Sequence, residues 1–583
     1  MIKKLLLSTA GMLGLFSVNA QDANQTISYC GKTEVEHRVF NDHYDWKIQD
    51  SLDRVALEDW TELYSKNRSE SERGVVYTIP TVFHIVHLGG VENITDAQVH
   101  DAMRILNEDF NSENSDTSAV IQQFKSIIGD AEMEFLLAKK DNSGDCFSGI
   151  TRTFSQNTFD QGITFNGHPI VDDVIAEHGN FPSNKYMNIY VCIDPAGAAG
   201  YTNTPNSWLP VNPGYAGIFI SHAYVGAIGT GTPTRSRALT HEVGHWFNLE
   251  HPWGPNNNPG NAGSCSDDDG VTDTPNTIGW TSCNLNGATC NSLDNVQNYM
   301  DYSYCSRMFT EGQVTRMRAA ATSSVGGRDN LWTTANLNAT GVYDPDVLCE
   351  VDFDGNETDV CAGQTITFSD RSFNGATGWQ WTFPGGTPAS STDSVVTVTY
   401  NSPGTYDVTL QATDGSTTLS ETKSGYVNVT GLNSVPHPLV EGFEGVMLPS
   451  NYWDLPGFNN IWEVTSAASY SGSNSAWIDN ETSLAGNIYE LESKSFDLSN
   501  AASVVVSFKF AYAQRNSGTL DKLTFKVSNN CGETYVTRKI LQGTQLSTGG
   551  FSGGNWVPNG TGEWDEEIIT NISSSFLVEG FRV

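Results

Sequence analysis

The sequence predicts a multidomain chain in which one α/β domain, organised around a histidine-bearing helix, precedes two all-β sandwich domains. Three observations predict it. The 583 residues are too many for one compact domain. Between Val75 and Ser221, β-branched apolar runs alternate with a helical stripe, the strand–helix–strand order of an α/β layer. After residue 350 the pattern turns to strand-like alternation, and 55 glycines with many Ser, Thr and Asn favour turn-rich β structure over helical bundles.

Only 17% of the residues are charged, yet acids outnumber bases 67 to 31 and the net charge is −36. That balance argues against nucleic acid and anionic membrane as partners and suits an exported, soluble, calcium-binding protein. The N-terminus reads as a signal peptide over residues 1–20: Lys3 and Lys4, an apolar run from Leu5 to Phe16, then Val18-Asn19-Ala20 before Gln21. About twelve apolar residues are too few to span a bilayer, and no later stretch is longer, so no transmembrane segment is expected. Export permits disulfides among the ten cysteines.

Residues 21–73 carry mixed charge without a sustained apolar period and read as a pro-segment, with Arg73 as a processing site. Within it stands Cys30-Gly31. A thiolate is a good zinc ligand and can fill the open position of a catalytic metal; the competing reading pairs Cys30 with another cysteine. Val75 to Leu88 is a buried-strand signal. Thr95-Asp96-Ala97-Gln98 fits a capping box ahead of a stripe of Val99, Met103, Leu106 and Phe110. Met133 to Ala138, Ile150 to Phe154, Met187 to Ile193 and Ala216 to Ser221 are further strands. His84 and His87 lie within a strand and read as packed or solvated rather than as ligands.

The organising stretch runs from Leu239 to His251. His241 and His245 are four apart, so on a helix they share one face and can reach one Zn²⁺. Glu242 can hold and deprotonate a zinc-bound water. His251 becomes a third ligand if the helix stops near residue 248, and Asn248 tolerates the left-handed conformation that such a turn requires. The bland alternative is a surface helix with two solvated histidines. A third histidine at this offset, with a turn-former between, favours the metal.

Beyond the helix, Ser266 to Pro275 concentrates hard oxygen donors around a turn, a candidate structural Ca²⁺ site against a plain solvated acidic turn. Cys265, Cys283, Cys290 and Cys305 flank it, and sequence alone allows three pairings. Asn298-Tyr299-Met300-Asp301-Tyr302 follows, and Phe309 to Met317 reads as a capped helix closing the domain. Cys146 and Cys192 pair only by parity, and Cys531 has no obvious partner.

The pattern from His241 to His251 resembles the metzincin clan of metalloproteases. Trp246 and Pro252-Trp253-Gly254 look like its pappalysin (cytophagalysin) family, with Asn248 where most members carry glycine. This resemblance implies an α/β (α+β) metzincin-like catalytic domain over residues 74–345. It implies Cys30 as a cysteine switch ligating zinc in the latent form, and Asp269 and Thr274 as calcium-linked. It also implies the disulfides Cys265–Cys290 and Cys283–Cys305, Met300 as a floor beneath the zinc, and Tyr302 as a donor to the oxyanion. Ala216 to Ser221 is then the edge strand on which substrate lies, and the helix after Phe309 walls the primed-side pocket.

The expected function is a secreted, extracellular zinc-dependent endopeptidase made as a zymogen, with protein or peptide substrates, one catalytic Zn²⁺ and structural Ca²⁺. Two other readings stay open: a zinc amidase acting on a non-protein substrate, and an adhesin with a structural zinc site. After the enzyme, Cys349 and Cys361 read as a staple opening a module. Residues 350–430, with Trp379 to Gly386 and Tyr400 to Leu410, resemble a PKD domain, with Trp381 in its core. Residues 436–583 carry strand signals at Val504 to Ala511 and Leu523 to Val527. Glu441 to Glu444 and Ser475 to Asp479 resemble jelly-roll adhesion modules, which implies glycan or matrix contact. The stop at Val583 falls in a strand pattern and reads as truncation of a longer protein.

Overall fold

A computed structural model describes residues 29–67, 74–160, 162–163, 167–209, 214–432, 435–445, 447–456, 461–479, 488–516, 518, 521–552 and 556–583. The signal peptide expected over residues 1–20 and the processing site expected at Arg73 lie outside them. The described residues fall into two compact units, one running to Asp346 and the other from Val347.

In the first unit the elements are, in order, α1 (Lys32–Asp42), α2 (Tyr44–Asn67), β1 (Tyr77–His87), α3 (Asp96–Phe110), β2 (Met133–Leu137), β3 (Ile150–Phe154), β4 (Phe159–Asp160), α4 (Pro169–His178), β5 (Met187–Cys192), β6 (Asp194–Pro195), β7 (Gly200–Thr202), β8 (Ile218–Ser221) and α5 (Ala238–Trp246). A short hairpin, β9 (Ala288–Thr289) and β10 (Ser292–Leu293), and two helices, α6 (Glu311–Ala321) and α7 (Thr334–Thr340), complete it.

One mixed sheet organises this unit in the order β2-β1-β5-β8-β7. β1 is its spine, pairing in parallel with β2 along its first half, β3 along its second and β5 on the other side. Every β1 residue but His87 is buried. That burial on both faces explains why the sequence reads there as a continuous apolar run rather than an alternation. α3 lies over the sheet on the predicted stripe, with Val99, Met103, Leu106 and Phe110 all buried. Its N-cap forms only half of the expected box. Thr95 Oγ1 accepts from Gln98 N at 3.2 Å, but the Gln98 amide turns away to donate to Val225 O and Thr230 Oγ1.

Three further expectations are corrected here. β8 is not the edge strand: it pairs in parallel with β5 and antiparallel with β7, so the edge is Gly200–Thr202. Three residues in a glycine- and alanine-rich stretch give no readable strand period. Cys146 and Cys192 do not pair, since Cys192 is a buried thiol and Cys146 is disulfide-bonded elsewhere. Cys192 ends an interior strand, whereas Cys146 lies in the half-exposed turn after β2. The stretch expected as a pro-segment offered no element to the sequence reading, yet its described residues hold α1 and α2. The buried residues of α2 are Asp50, Asp53, Leu57 and Tyr64, while Ile48, Leu52 and Val55 face solvent. Its docked face is ionic, so no apolar stripe marks it.

The second unit opens as a β-sandwich. One sheet joins residues 353–355, 365–370, 395–400 and 386–387; the other joins 359–361, 418–430, 404–413, 378–382 and 390–391. Trp381, Phe353, Phe368, Phe383 and Val398 are fully buried between them. Cys361 bonds to Cys531, not to Cys349. The expected staple is therefore not local: it ties the sandwich to the C-terminal β region. There the strands pair in twos, Val506–Phe510 with Asp565–Ile569 and Lys522–Val527 with Val536–Gln542.

Candidate metal centre

α5 is buried at every residue, which carries polar chemistry into an apolar core. His241 and His245 have no exposure, and Glu242 and His251 have 1%. Nδ1 of each imidazole meets a backbone carbonyl: His241 with Tyr299 O at 2.8 Å, His245 with Leu249 O at 2.7 Å and His251 with Asn256 O at 3.3 Å. A carbonyl only accepts, so each Nδ1 carries the proton and the Nε2 lone pairs are left for a metal.

The chain turns as the third histidine requires. Asn248 takes φ 73°, and Leu249 N donates back to Gly244 O at 3.0 Å. This brings His251 Nε2 to 3.2 Å from His245 Nε2, with the His251 ring stacked on Trp253. Cys30 Sγ joins the group, and one ligand atom from each of Cys30, His241, His245 and His251 lies within 4.8 Å of the others. His241 Nε2 is buried with no hydrogen-bond partner among the described residues. Three convergent neutral imidazoles beside a thiol are a donor set that fits zinc.

The electrostatics follow from burial. Desolvation keeps the three imidazoles neutral, His241 down to about 4 and His245 and His251 well below the ordinary value. It pushes Glu242 up to about 8, against the pull of Cys30 and Lys32, and raises the Cys30 thiol, with Glu242 adding to that rise. Cys30 Sγ lies 3.9 Å from Glu242 Oε2.

Tyr302 borders this cluster, and Met300 packs against the helix that carries it. Met300 is fully buried beneath α5, where a Cβ added to Gly244 would lie 2.5 Å from its sulfur. The Tyr302 hydroxyl is 3.0 Å from His251 Nε2 and donates to Asn257 Oδ1. The turn entering α1 is held by backbone bonds on two sides: Gly31 N donates to Gly200 O at 2.8 Å, and Asn257 Nδ2 donates to Cys30 O at 2.8 Å. Tyr29 packs against His241, Tyr302 and Tyr304.

Thus His241, His245, His251, Glu242, Met300, Tyr302 and Cys30 come together at one point. Asp269 and Thr274 meet elsewhere, in the acidic loop, where Thr274 Oγ1 donates to Asp269 Oδ1 at 2.9 Å and Asp269 Oδ2 is buried without a partner among the described residues. The Cys265–Cys290 and Cys283–Cys305 bonds bracket that loop. Asp273 accepts from Thr310 Oγ1 at 2.6 Å and Gly312 N at 2.8 Å, fastening the loop to the start of α6.

Sequence reasoning missed four participants. Gly244 keeps room for Met300, and Gly200 keeps room for Glu242, whose Cγ would be 3.1 Å from an added Cβ. A glycine inside a helix is a costly choice, and that cost was the available signal. Glu250 and its partner Lys32 had none, because they lie 218 residues apart. Burial alone would raise the Glu250 carboxyl, but Lys32 and Arg54 outweigh it and hold it at about 2.

The peptidase family model described as pregnancy-associated plasma protein-A matches residues 170–322, and a PKD-domain model matches residues 351–424. The chain is similar to an extracellular metalloprotease of Colletotrichum graminicola, 28% identical over 253 residues, 41% of this chain and 74% of that relative. An extracellular metalloprotease of Neurospora crassa is 35% identical over 147 residues, 23% of this chain and 47% of that relative. Among solved structures, a promirolysin mutant of Tannerella forsythia is 30% identical, covering 54% of this chain and 100% of its own, with a TM-score of 0.44. Mature mirolysin from the same organism, in complex with a cleaved peptide, is 31% identical over 47% of this chain and 100% of its own, at 0.41.

Proposed function

This chain belongs to the pregnancy-associated plasma protein-A family of metallopeptidases and is a metalloendopeptidase, and from that premise we propose that it is exported as a latent zinc enzyme that cleaves extracellular proteins. One observation carries the reading. Three imidazoles converge on a single buried point with the buried Glu242 carboxylate beside them, next to the β7 strand edge that Gly31 N occupies.

His241, His245 and His251 hold the zinc ion, which when bound supplies Lewis acidity toward the scissile carbonyl and the attacking water. Glu242 stands beside them as the general base, taking the water's proton and returning it to the leaving amine. Its burial strengthens that basicity while an ion nearby keeps it ionised. The Tyr302 hydroxyl donates to the oxygen that gains charge. β7 offers its outer edge to the substrate backbone, the position that Gly31 occupies in this structure. Met300 fills the space below α5 and fixes the height of both helical histidines.

Latency rests on residues 21–73. Cys30 stands among the three imidazoles, where its thiolate takes the position that water needs, and Tyr29 and Gly31 occupy ground where substrate would lie. Removing the segment opens the site.

Two measurements test this. Glu242→Gln should keep one zinc per chain by metal analysis and lose peptide hydrolysis by at least about a thousandfold; proteolysis retained at wild-type rate sinks the assignment. Cys30→Ala in the full chain should give a precursor that cleaves peptides or processes itself without prior activation. A fully silent Cys30→Ala precursor, with its Glu242 site loaded, counts against the switch.

A further inference from the structure

Buried arginines in this chain are held by carboxylates, with one exception. Arg316 pairs with Glu58, Arg318 with Glu132 and Arg582 with Glu492. Arg328, in the short helical stretch Val325–Asn330 between α6 and α7, is 0% exposed and has no ion pair among the described residues. Acids outnumber bases 67 to 31 in the chain, so a shortage of carboxylates is not the reason. Arg328 Nη1 donates to Gly326 O at 3.1 Å, whereas Nε and Nη2 have no hydrogen-bond partner among the described residues. Those two nitrogens form one edge of the planar guanidinium. Their N–H bonds run side by side, the fork that receives a single anion. One face of the cation is covered, because its Cζ stands 3.5 Å from the centre of the Trp246 ring. Burial pushes the guanidinium down to about 9, so it is charged at neutral pH.

A buried cation is costly unless it is paired, and a ring face offsets part of that cost without neutralising the charge. Water in the fork would satisfy the two donors and leave the charge uncompensated. A small anion does both. We propose that the Nε–Nη2 edge of Arg328 binds a monovalent inorganic anion of chloride size, beside the metal helix and against Trp246. Full enclosure of the side chain favours a monatomic ion over a carboxylate that trails a peptide. The site is separate from the imidazole cluster. Trp246 follows His245 on α5, and its Nε1 donates to Ala216 O at 3.0 Å, just ahead of β8. An anion that pins Arg328 to this ring steadies the metal helix through Trp246 rather than through the metal. The inference holds whether or not the chain hydrolyses peptides.

The test uses the zinc-loaded full chain, dialysed into sodium gluconate and titrated with sodium chloride at constant ionic strength and pH. Gluconate is too large for the site and serves as the reference. Scanning calorimetry should show the unfolding temperature of the unit that contains α5 rising with chloride to saturation. At a concentration about ten times the dissociation constant the rise should be about 2–5 °C, and sodium bromide should act likewise. Arg328→Met removes the charge and keeps much of the volume, so its unfolding temperature should be the same in both salts. Coincident wild-type curves in chloride and gluconate overturn the proposal, as does a chloride effect undiminished in Arg328→Met. Should that variant fail to fold, wild-type crystals grown in bromide decide the matter. An anomalous peak within hydrogen-bond distance of Nε and Nη2 supports the site; bromide at the surface alone, or water in the fork, overturns it.

Discussion

Gly244 shows how far one side chain's absence can reach. It sits between the two helical histidines, and a methyl group there would lie 2.5 Å from Met300 Sδ and 3.4 Å from its methyl carbon. Since Met300 is fully enclosed, it has little room to retreat. Overpacking of this kind costs about 1–3 kcal/mol, so Gly244→Ala should lower the melting temperature and weaken metal retention together. Met300→Ala should recover part of both losses, a coupling that a double-mutant cycle reads directly; additive losses would show the contact to be unimportant. At this scale the sequence was informative wherever chemistry follows spacing. His241, His245, Glu242 and His251 fall within eleven residues, and the turn at Asn248 is a local backbone preference. It was silent on Gly200, Asn257 and Glu250, whose partners arrive from other parts of the chain through the fold.

Among the elements, α2 has the least expected packing. It turns Ile48, Leu52 and Val55 to solvent and docks through polar contacts. Arg54 bridges Glu36, Asp50 and Glu250, Asp53 accepts from Ser207 N at 2.7 Å, and Glu58 meets Arg316 at 2.8 Å. Only Leu57 adds a fully buried apolar side chain. A helix held this way should be released by ions more readily than one held by a greasy stripe. A separate segment covering residues 29–67 is therefore expected to bind the mature enzyme less tightly as salt rises from about 0.05 to 0.5 M, where the Debye length shrinks severalfold. Arg54→Ala should cost about 1–2 kcal/mol of that affinity, discounted for the 33% exposure of its side chain. Salt-insensitive binding would show that the apolar contacts dominate. The strands of the central sheet were legible because burial on both faces writes a β-branched run into the sequence, as in β1 and β5. β7 and α2 were not, one being too short to show a period and the other inverted.

For the whole molecule, the order of a metal-bearing α/β unit and a β-sandwich was readable from composition, periodicity and resemblance, but its covalent ties were not. Parity paired Cys146 with Cys192 and left Cys531 without a partner, whereas Cys192 stays a thiol and Cys361 reaches across 170 residues to Cys531. Closing a loop of that length stabilises by up to about 5 kcal/mol in the chain-entropy picture. Paired Cys361→Ala and Cys531→Ala changes should lower the unfolding temperature of the second unit while peptide hydrolysis holds; a calorimetric trace unchanged from wild type would remove the bond from any stabilising role. The brevity of β7 has a bearing on the solution life of this enzyme. An uncovered sheet edge invites strand pairing between two copies of a protein, and long flat edges are where aggregation begins. Gly200–Thr202 exposes too little backbone for two such edges to hold each other without help. A peptide that adds side-chain contacts to the same few backbone bonds gains what a second copy lacks, so an edge this short favours a peptide over self-pairing.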